Sequence, residues 1–298
     1  MRIGIDLGGT KTELIALDKT GAARLRFRRP TPAGDYAATI NMIADMVAQA
    51  EGESGETANI GIGTPGAISP RTGRMKNCNS TCLNDKPLQQ DLELALRRPV
   101  RLSNDANCFA LSEAIDGAAA GSPVVFGVIL GTGVGGGIVV NGQLLEGMNS
   151  IAGEWGHNPL PSANREEIPG PPCYCGRKGC IETWLSGPAM RRDHIACGGQ
   201  NITAAEIARM TTEGDAACML TLEHYCERLA RALAGVINIL DPDAIVLGGG
   251  LSNISLLYEQ VPRLWSSYIF SDSVSTRLLP PAHGDSSGVR GAAWLWGR

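Results

Sequence analysis

Two segments of this chain share one pattern: an apolar strand, a glycine-rich turn and a second apolar strand. The first runs from Arg2 to Leu17, with its turn at Gly8-Gly9-Thr10. The second runs from Val124 to Val140, with its turn over Gly131 to Gly137. Glycine lets the backbone turn tightly and approach a bound group closely. Because the pattern occurs twice in 298 residues, we expect two related halves, each with its own core.

The segments around these turns alternate between strand and helix patterns, which indicates an α/β fold. Strands are expected at 59–63, 100–102 and 244–247 and helices at 35–49, 222–240 and 288–296. A strand follows each of the first two turns, so both sheets should contain antiparallel members. The alanine- and glycine-rich segment 117–123 is the expected hinge. This hinge divides the chain into domains 1–118 and 119–286. A C-terminal helix, 287–298, is expected to pack back on the first domain.

Composition and charge exclude several classes of protein. The net charge is -4 without a long basic run, which argues against a nucleic-acid partner. No apolar window reaches the roughly 18–20 residues of a membrane span, so no membrane association is expected. The chain opens directly on its first strand, so we expect no signal peptide and a cytoplasmic location. Nine cysteines in such a chain favour reduced thiols and a metal site over disulfides.

The first glycine turn has the chemistry of a phosphate site. Backbone N–H groups of Gly8 and Gly9 can point at a phosphate, Thr10 adds a hydroxyl donor and Lys11 a positive charge. Asp6, at the end of the strand, can hold Mg²⁺ through water. A Walker P-loop is excluded, because its sequence is absent and a strand follows the turn where that motif has a helix.

The second turn contains a formal G-x-G-x-x-G, but the dinucleotide fingerprint requires a helix next, and Ile138-Val139-Val140 is strand-like. A third glycine turn, Gly248 to Gly250, follows another apolar strand. A plain hairpin would explain any single turn, whereas three such turns favour a nucleotide site. The expected nucleotide-binding residues are Gly4, Asp6, Gly8, Gly9, Thr10, Lys11, Gly131, Thr132, Gly133, Gly135, Gly136, Gly248, Gly249 and Gly250.

Asn104 and Asp105 follow a strand and open a helix that runs to about Gly117. Either residue suits a helix N-cap, and that role alone would explain the pair. The functional alternative makes Asp105 the base that accepts a proton from an attacking hydroxyl. A carboxylate of ordinary pKa is sufficient, because the phosphoryl-transfer transition state is loose and mainly needs an aligned nucleophile.

Four residues form a candidate metal group: His157, Cys173, Cys175 and Cys180. The glycines between the last two cysteines let the loop fold back so that three thiolates converge. A Cys₃His set fits tetrahedral zinc, and four protein ligands are typical of a structural ion. Three unrelated thiols on a surface loop are the alternative.

Two acids flank this group, Glu154 before His157 and Glu182 after Cys180. Each is either a solvated surface residue or an acceptor for sugar hydroxyls. The other cysteines and histidines carry no ligand spacing. Cys108 and Cys226 fall in helical patterns and are expected in the core, and His194 and His224 are expected at the surface.

The strand–turn–strand layout resembles the actin, Hsp70 and hexokinase superfamily, whose fold has two domains and an interdomain cleft. Taken together, Asp6 to Lys11, Asn104-Asp105, Gly153-Glu154-x-Gly156-His157 and the Cys-x-Cys-Gly-x-x-Gly-Cys string are similar to those of ROK-family sugar kinases. The resemblance covers almost the whole chain. It implies ATP, with adenosine at Gly248 to Gly250, and Asp105 as the base.

The resemblance further implies that the sugar contacts Gly66, Asn79, Asn104, Asp105, Glu154, His157 and Glu182. One ring nitrogen of His157 would bind zinc and the other would donate to a sugar hydroxyl. Dimers are common in the family, so a homodimer is expected without residue-level support.

Within that family, Asn77 to Thr81, Gly153 to Pro161 and His283 to Trp294 most resemble the bacterial fructokinases, also called manno(fructo)kinases. Transfer of the ATP γ-phosphoryl to D-fructose is therefore expected, with mannose or glucose as further substrates. Cys82 stands where that subfamily has an aromatic residue. The alternatives are an N-acetylhexosamine kinase, a non-catalytic sugar-binding protein and a sugar-responsive repressor. A repressor would carry a helix-turn-helix ahead of the first turn, which here begins within ten residues.

Overall fold

The computed structural model describes residues 1–297, which fall into two compact units. The first consists of Met1–Gly121, Gly137–Ala152 and the C-terminal segment from Asp285. The second consists of Ser122–Gly136 and Gly153–Gly284. The domains 1–118 and 119–286 stay a prediction, from which this grouping differs by assigning Gly137–Ala152 to the first unit.

The strands are β1 Arg2–Leu7, β2 Lys11–Leu17, β3 Ala23–Pro30, β4 Asn59–Thr64, β5 Ala67–Ile68, β6 Met75–Lys76, β7 Val100–Asn104, β8 Val124–Leu130, β9 Val134–Val140, β10 Gln143–Leu144, β11 Ala244–Gly248 and β12 Arg277–Leu279. The helices are α1 Tyr36–Ser54, α2 Leu88–Leu96, α3 Asp105–Ile115, α4 Glu182–Leu185, α5 Gly187–Ala196, α6 Ala204–Thr212, α7 Ala216–Leu240, α8 Leu256–Trp265 and α9 Ser287–Trp294. Among residues 1–297, no helix combines the length and the apolar character needed to cross a bilayer.

Two five-stranded sheets of mixed direction carry the fold. One has the order β3-β2-β1-β4-β7 and the other β10-β9-β8-β11-β12. In the first sheet β2 is antiparallel to β1 and β3, whereas β4 is parallel to β1 and β7. Apolar residues of β1, β2, β4 and α1 form its core. The α/β class and the antiparallel members predicted from the strand–turn–strand pattern are confirmed.

Most predicted elements are present, and several have different limits; α1, for example, continues five residues beyond its predicted end, to Ser54. The second glycine turn is shorter than predicted, since β9 already begins at Val134. Helix α7 begins at Ala216, six residues ahead of the predicted start, because the Asp215 carboxylate accepts the N–H of Cys218 and caps an earlier first turn.

The last helix, α9, packs against α3, β1 and β4 at distances that only glycine permits. A Cβ on Gly291 would lie 1.6 Å from the carbonyl oxygen of Cys108, and one on Gly61 would lie 1.9 Å from that of Ala292. The hydroxyl of Ser287 donates to the buried carboxylate of Glu113 at 2.7 Å. The predicted C-terminal helix and the buried position of Cys108 are confirmed.

We expect Gly291→Ala to reduce the free energy of unfolding by about 3 kcal/mol, because the new methyl group would overlap backbone that cannot move away. Chemical denaturation measures the change. Gly52→Ala is the matched control, since Gly52 is exposed in α1 with no atom near its missing Cβ. Alanine should raise stability there by up to about 1 kcal/mol through helix propensity. Equal stabilities of the two variants would contradict the close packing of α9.

Candidate functional site

The first glycine turn opens onto a cavity of about 400 Å³ within the first unit. Gly8, Gly9 and Thr10 line one side, and the segments 31–34 and 79–83 line the others. The structure therefore brings the predicted phosphate turn together with Asn79, which was predicted at the sugar. Lys11 lies exposed at the start of β2, directly after the turn.

Two carboxylates lie beside this turn. Asp6 is near the end of β1, paired in register with Glu13 of β2, and Asp105 is the first residue of α3. Burial raises the pKa of Asp6 to about 6, and the negative charges of Asp105 and Glu13 add to the effect. Neighbouring carboxylates that raise one another's pKa are stabilised by a bound cation. This arrangement suits a hydrated Mg²⁺, which needs few protein ligands.

The start of α3 settles which residue caps the helix. The side chain of Asn104 accepts the backbone N–H of Asn107 at 2.7 Å, so Asn104 is the N-cap. Asp105 is exposed, and its Oδ1 accepts the N–H of Ala106 at 2.8 Å. The carboxylate therefore sits at the N-terminal end of a helix, where the helix dipole attracts negative charge.

Gly4 was predicted to bind the nucleotide and Gly66 to contact the sugar, and both glycines lie close to other backbone. A Cβ on Gly4 would lie 2.0 Å from the carbonyl oxygen of Val289 in α9, so packing alone explains this glycine. Gly66 follows β4, and its carbonyl oxygen accepts the hydroxyl of Thr64 at 2.9 Å.

The second glycine turn lies between β8 and β9, and Glu182 holds it. One carboxylate oxygen of Glu182 accepts the N–H of Val134 at 3.0 Å, and a Cβ on Gly133 would lie 2.6 Å from that oxygen. The carbonyl of Gly131 accepts the N–H of Gly187 at 2.8 Å. Glu182, which was predicted to contact the sugar, thus supports the second glycine turn; Thr132 is exposed at the tip of that turn.

Gly135 and Gly136 belong to β9 and not to the turn. The carbonyl of Gly135 accepts the indole N–H of Trp155 at 3.0 Å. A Cβ on Gly136 would lie 2.7 Å from the carbonyl oxygen of Gly153. The carbonyl of Gly135 and the missing side chain of Gly136 therefore let the segment that carries Glu154 pack against the strand.

The third glycine turn lies beside the second within the same unit. Gly248 ends β11, and Gly249 has a left-handed backbone with φ of +78°. A Cβ on Gly249 would lie 2.5 Å from the carbonyl oxygen of Leu130, the residue before the second turn. Gly250 is exposed and begins a short 3₁₀ helix.

The four predicted metal ligands converge. One ligand atom from each of His157, Cys173, Cys175 and Cys180 lies within 4.8 Å of all the others. Nδ1 of His157 is 3.5 Å from Cys173 Sγ, and the sulfurs of Cys175 and Cys180 are 3.6 Å apart. Tetrahedral zinc with its usual bond lengths needs ligand separations of about 3.5–3.8 Å. The donor set and its spacing therefore fit zinc.

Backbone hydrogen bonds hold the two loops of this group together. Ile181 donates to the carbonyl of Asn158 at 2.8 Å, and Leu160 donates to that of Gly179 at 3.0 Å. Nε of Arg177 donates to Cys175 Sγ at 3.5 Å, which lowers the pKa of that thiol to about 6. A thiolate is the form that binds a metal.

Tyr174 is the site residue that sequence reasoning missed. Its hydroxyl lies 2.9 Å from Nε2 of His157, the nitrogen expected to face the sugar. Although the residue is 83% exposed, partial burial of its hydroxyl raises the pKa of Tyr174 to about 12, and negative charges that include those of Glu182 and Glu154 add to this effect. An aromatic residue between two cysteine ligands was the only available signal.

A buried ion-pair network anchors the segment between His157 and Cys173. The carboxylate of Glu167 accepts from Arg231 at 2.8 Å and from Arg228 at 2.9 Å, both on α7. Arg231, only 3% exposed, also donates to the carbonyl of Ser162 at 2.9 Å. Burial by itself would raise the pKa of Glu167, but the two guanidiniums outweigh it and lower the pKa to about 2.

Of the two histidines expected at the surface, one is buried and the other, His224, has a side chain that is 39% exposed. His194 is 2% exposed, and its Nδ1 is 2.9 Å from the hydroxyl of Thr221; that prediction was wrong because a polar partner on a neighbouring helix allows burial. His224 Nδ1 lies 3.1 Å from Asp193, beside Cys197. Asp193 also pairs with Arg228 at 2.8 Å, so ordinary ion pairing accounts for this second group.

The architecture is that of α/β proteins with the actin-like ATPase fold. A model of the ROK family matches residues 2–298, and the chain belongs to this family. It is 38% identical over 299 residues to the N-acetyl-D-glucosamine kinase of Aliivibrio salmonicida, covering 99% of both chains.

Two solved structures extend the comparison. The ROK hexokinase of Thermus thermophilus superposes with a TM-score of 0.87 at 31% identity, over 99% of this chain and 97% of that one. A ROK-family glucokinase from Streptomyces griseus, in complex with glucose and AMPPNP, gives a TM-score of 0.79 at 27% identity, over 99% and 98%. These relatives do not support the fructokinase subfamily.

We expect Glu167→Gln to lower the free energy of unfolding by about 3 kcal/mol at neutral pH, because it removes the buried carboxylate that pairs with Arg228 and Arg231 and leaves the buried Arg231 with only the more exposed Glu227. Urea denaturation measures the change, and Glu166→Gln, at the exposed neighbour, should have almost no effect.

The contribution of Glu167 to stability should also depend on pH. A carboxylate whose pKa is lower in the folded than in the unfolded protein stabilises the fold at pH values above its unfolded pKa. This stabilisation is lost as the pH falls through the folded-state pKa. The difference between wild type and Glu167→Gln should therefore shrink as pH falls from about 4.5 to about 2. A difference that is constant over this range would argue against the ion pair.

Proposed function

We propose that this chain transfers the γ-phosphoryl group of ATP to a hydroxyl of a hexose, with N-acetyl-D-glucosamine as the first candidate. The observation that carries the proposal is the pair Asp6 and Asp105 beside the first glycine turn. Burial and the charges around Asp6 raise its pKa to about 6, as expected for a carboxylate site that a cation completes.

In this proposal Asp105 is the base that aligns the attacking hydroxyl. It is exposed at the first turn of α3, where the helix dipole attracts negative charge. Asp6 would hold Mg²⁺ through water, and a bound Mg²⁺ would supply positive charge to the phosphates. Gly8, Gly9 and Thr10 offer hydrogen-bond donors at the adjoining cavity.

Each unit by itself offers polar groups that are proposed to contact a sugar. In the first unit these are Asn79 on the cavity wall, Gly66, and Asn104 with Asp105 at the start of α3. In the second they are Glu154, His157 and Glu182, which belong to the loops held by the cysteine group. Carboxylates accept hydrogen bonds from hydroxyls strongly, so the acids favour a polyhydroxylated substrate.

We assign a structural Zn²⁺ to His157, Cys173, Cys175 and Cys180. The ligand separations fit a tetrahedral ion, and four protein donors leave no position for substrate. When bound, the ion crosslinks two loops and orients the imidazole of His157.

Two hexoses are candidates for the substrate. N-Acetyl-D-glucosamine is supported by relatives 38–39% identical over nearly the whole chain. Fructose is supported by the segments 77–81, 153–161 and 283–294, which resemble those of fructokinases. An acetamido group needs room and an amide partner that a 2-keto sugar does not need, so a direct comparison of the sugars separates them.

We expect sugar-dependent release of ADP with Mg²⁺ and ATP, tested across N-acetylglucosamine, fructose, mannose and glucose. Asp105→Asn should lower kcat at least about 100-fold, because it removes the proton acceptor. Asp45→Asn, at an exposed carboxylate of α1, should leave kcat unchanged. Preference for N-acetylglucosamine supports the first candidate, and preference for fructose supports the second. The absence of turnover on every sugar would refute the proposed function.

We expect purified protein to contain one zinc ion per chain, as measured by inductively coupled plasma mass spectrometry. Cys173→Ser should lose this zinc, because a hydroxyl is a poor substitute for a thiolate ligand. Cys197→Ser should retain it, since Cys197 belongs to the ion-paired group with Asp193 and His224. A zinc content unaffected by Cys173→Ser would contradict the assignment.

A further inference from the structure

Both ring nitrogens of His157 have partners. Nδ1 lies 3.5 Å from Cys173 Sγ, on the side of the cysteine group, and Nε2 lies 2.9 Å from the hydroxyl of Tyr174. A neutral imidazole that presents its lone pair through Nδ1 carries its proton on Nε2. A single N–H is therefore directed away from the thiols, and the Tyr174 oxygen accepts it.

The proposed sugar contact requires the same N–H. A sugar hydroxyl that contacts His157 must meet Nε2, because Nδ1 faces the thiols. One N–H makes a good hydrogen bond to only one acceptor, since a well-aligned geometry is needed. The phenol of Tyr174 and the sugar hydroxyl therefore compete for one donor.

The phenol also has the hydrogen-bonding pattern of a sugar hydroxyl. It accepts from His157 and retains an O–H that can donate.

Tyr174 can leave this position without disturbing the loop. Tyr174 is 83% exposed, and its ring meets the His157 ring in an edge-to-face arrangement, with centroids 5.1 Å apart and an interplanar angle of 87°. Both chain neighbours, Cys173 and Cys175, belong to the metal group, so the backbone is held. Rotation of an exposed side chain between staggered positions is fast and needs no backbone change.

We infer that the phenol of Tyr174 occupies, in the sugar-free protein, the place on His157 that a sugar hydroxyl takes, and that it swings out when the sugar binds. The inference rests on the proposed function. It makes Tyr174 a residue that sets sugar affinity, because every sugar that uses His157 Nε2 must first displace the phenol.

The test is Tyr174→Phe, which removes the hydroxyl and keeps the ring. Calorimetric titration with the preferred sugar, without nucleotide, should give a Kd roughly 2- to 10-fold lower than wild type, the range for one hydrogen bond. KM should fall by a similar factor while kcat stays unchanged. Tyr268→Phe is the matched control, since this partly exposed tyrosine of the same unit hydrogen-bonds Glu227, away from His157. Its Kd should equal that of wild type.

Three results would overturn the inference. A higher Kd in Tyr174→Phe would mean that the phenol binds the sugar, and an unchanged Kd would mean that it is not displaced. Loss of zinc from Tyr174→Phe would mean that the phenol positions His157 for the metal. An inactive wild type refutes the proposed function and this inference with it. An active wild type with any of the three results refutes the inference alone.

Discussion

The close packing of α9 against α3, β1 and β4 is the contact on which the first unit depends. Backbone meets backbone at Gly291, Gly61 and Gly4, where no side chain fits. Because β1 carries Asp6 and α3 carries Asp105, this packing also sets where the two carboxylates lie relative to each other. Burial and the charges of Asp105 and Glu13 raise the pKa of Asp6 to about 6.

In the second unit, polar groups hold the loops of the candidate site in place. Arg231 and Arg228 hold Glu167, and the backbone bonds between 158–160 and 179–181 hold the two cysteine loops. Glu182 connects these loops to the second glycine turn through the N–H of Val134. Ion pairs of this kind are costly to break because a charge would stay buried without its partner. The segment that carries His157 and Tyr174 is thus fixed, while the exposed phenol can move.

Function in this family of folds depends on small groups placed on a shared scaffold. The chain shares its scaffold with hexokinase and glucokinase structures, so the fold itself does not select the sugar. Selection must lie with the side chains that meet the sugar, and relatives at 38–39% identity leave room for changes there. The hydroxyl of Tyr174 lies 2.9 Å from the imidazole assigned to the sugar, so Tyr174 is a neighbour of these side chains.

The sequence by itself determined the features encoded by neighbouring residues. The two hairpins, the α/β class, the turn Gly8-Gly9-Thr10 and the convergence of His157 with three cysteines follow from short motifs and periodicity. The tertiary structure decided what depends on residues far apart in the chain. It showed that Gly4 and Gly136 make room for other backbone, that Asn104 caps α3, that His194 is buried and that Tyr174 meets His157. The physical reason is that a motif fixes local geometry, whereas the partner of a side chain is chosen by packing between elements.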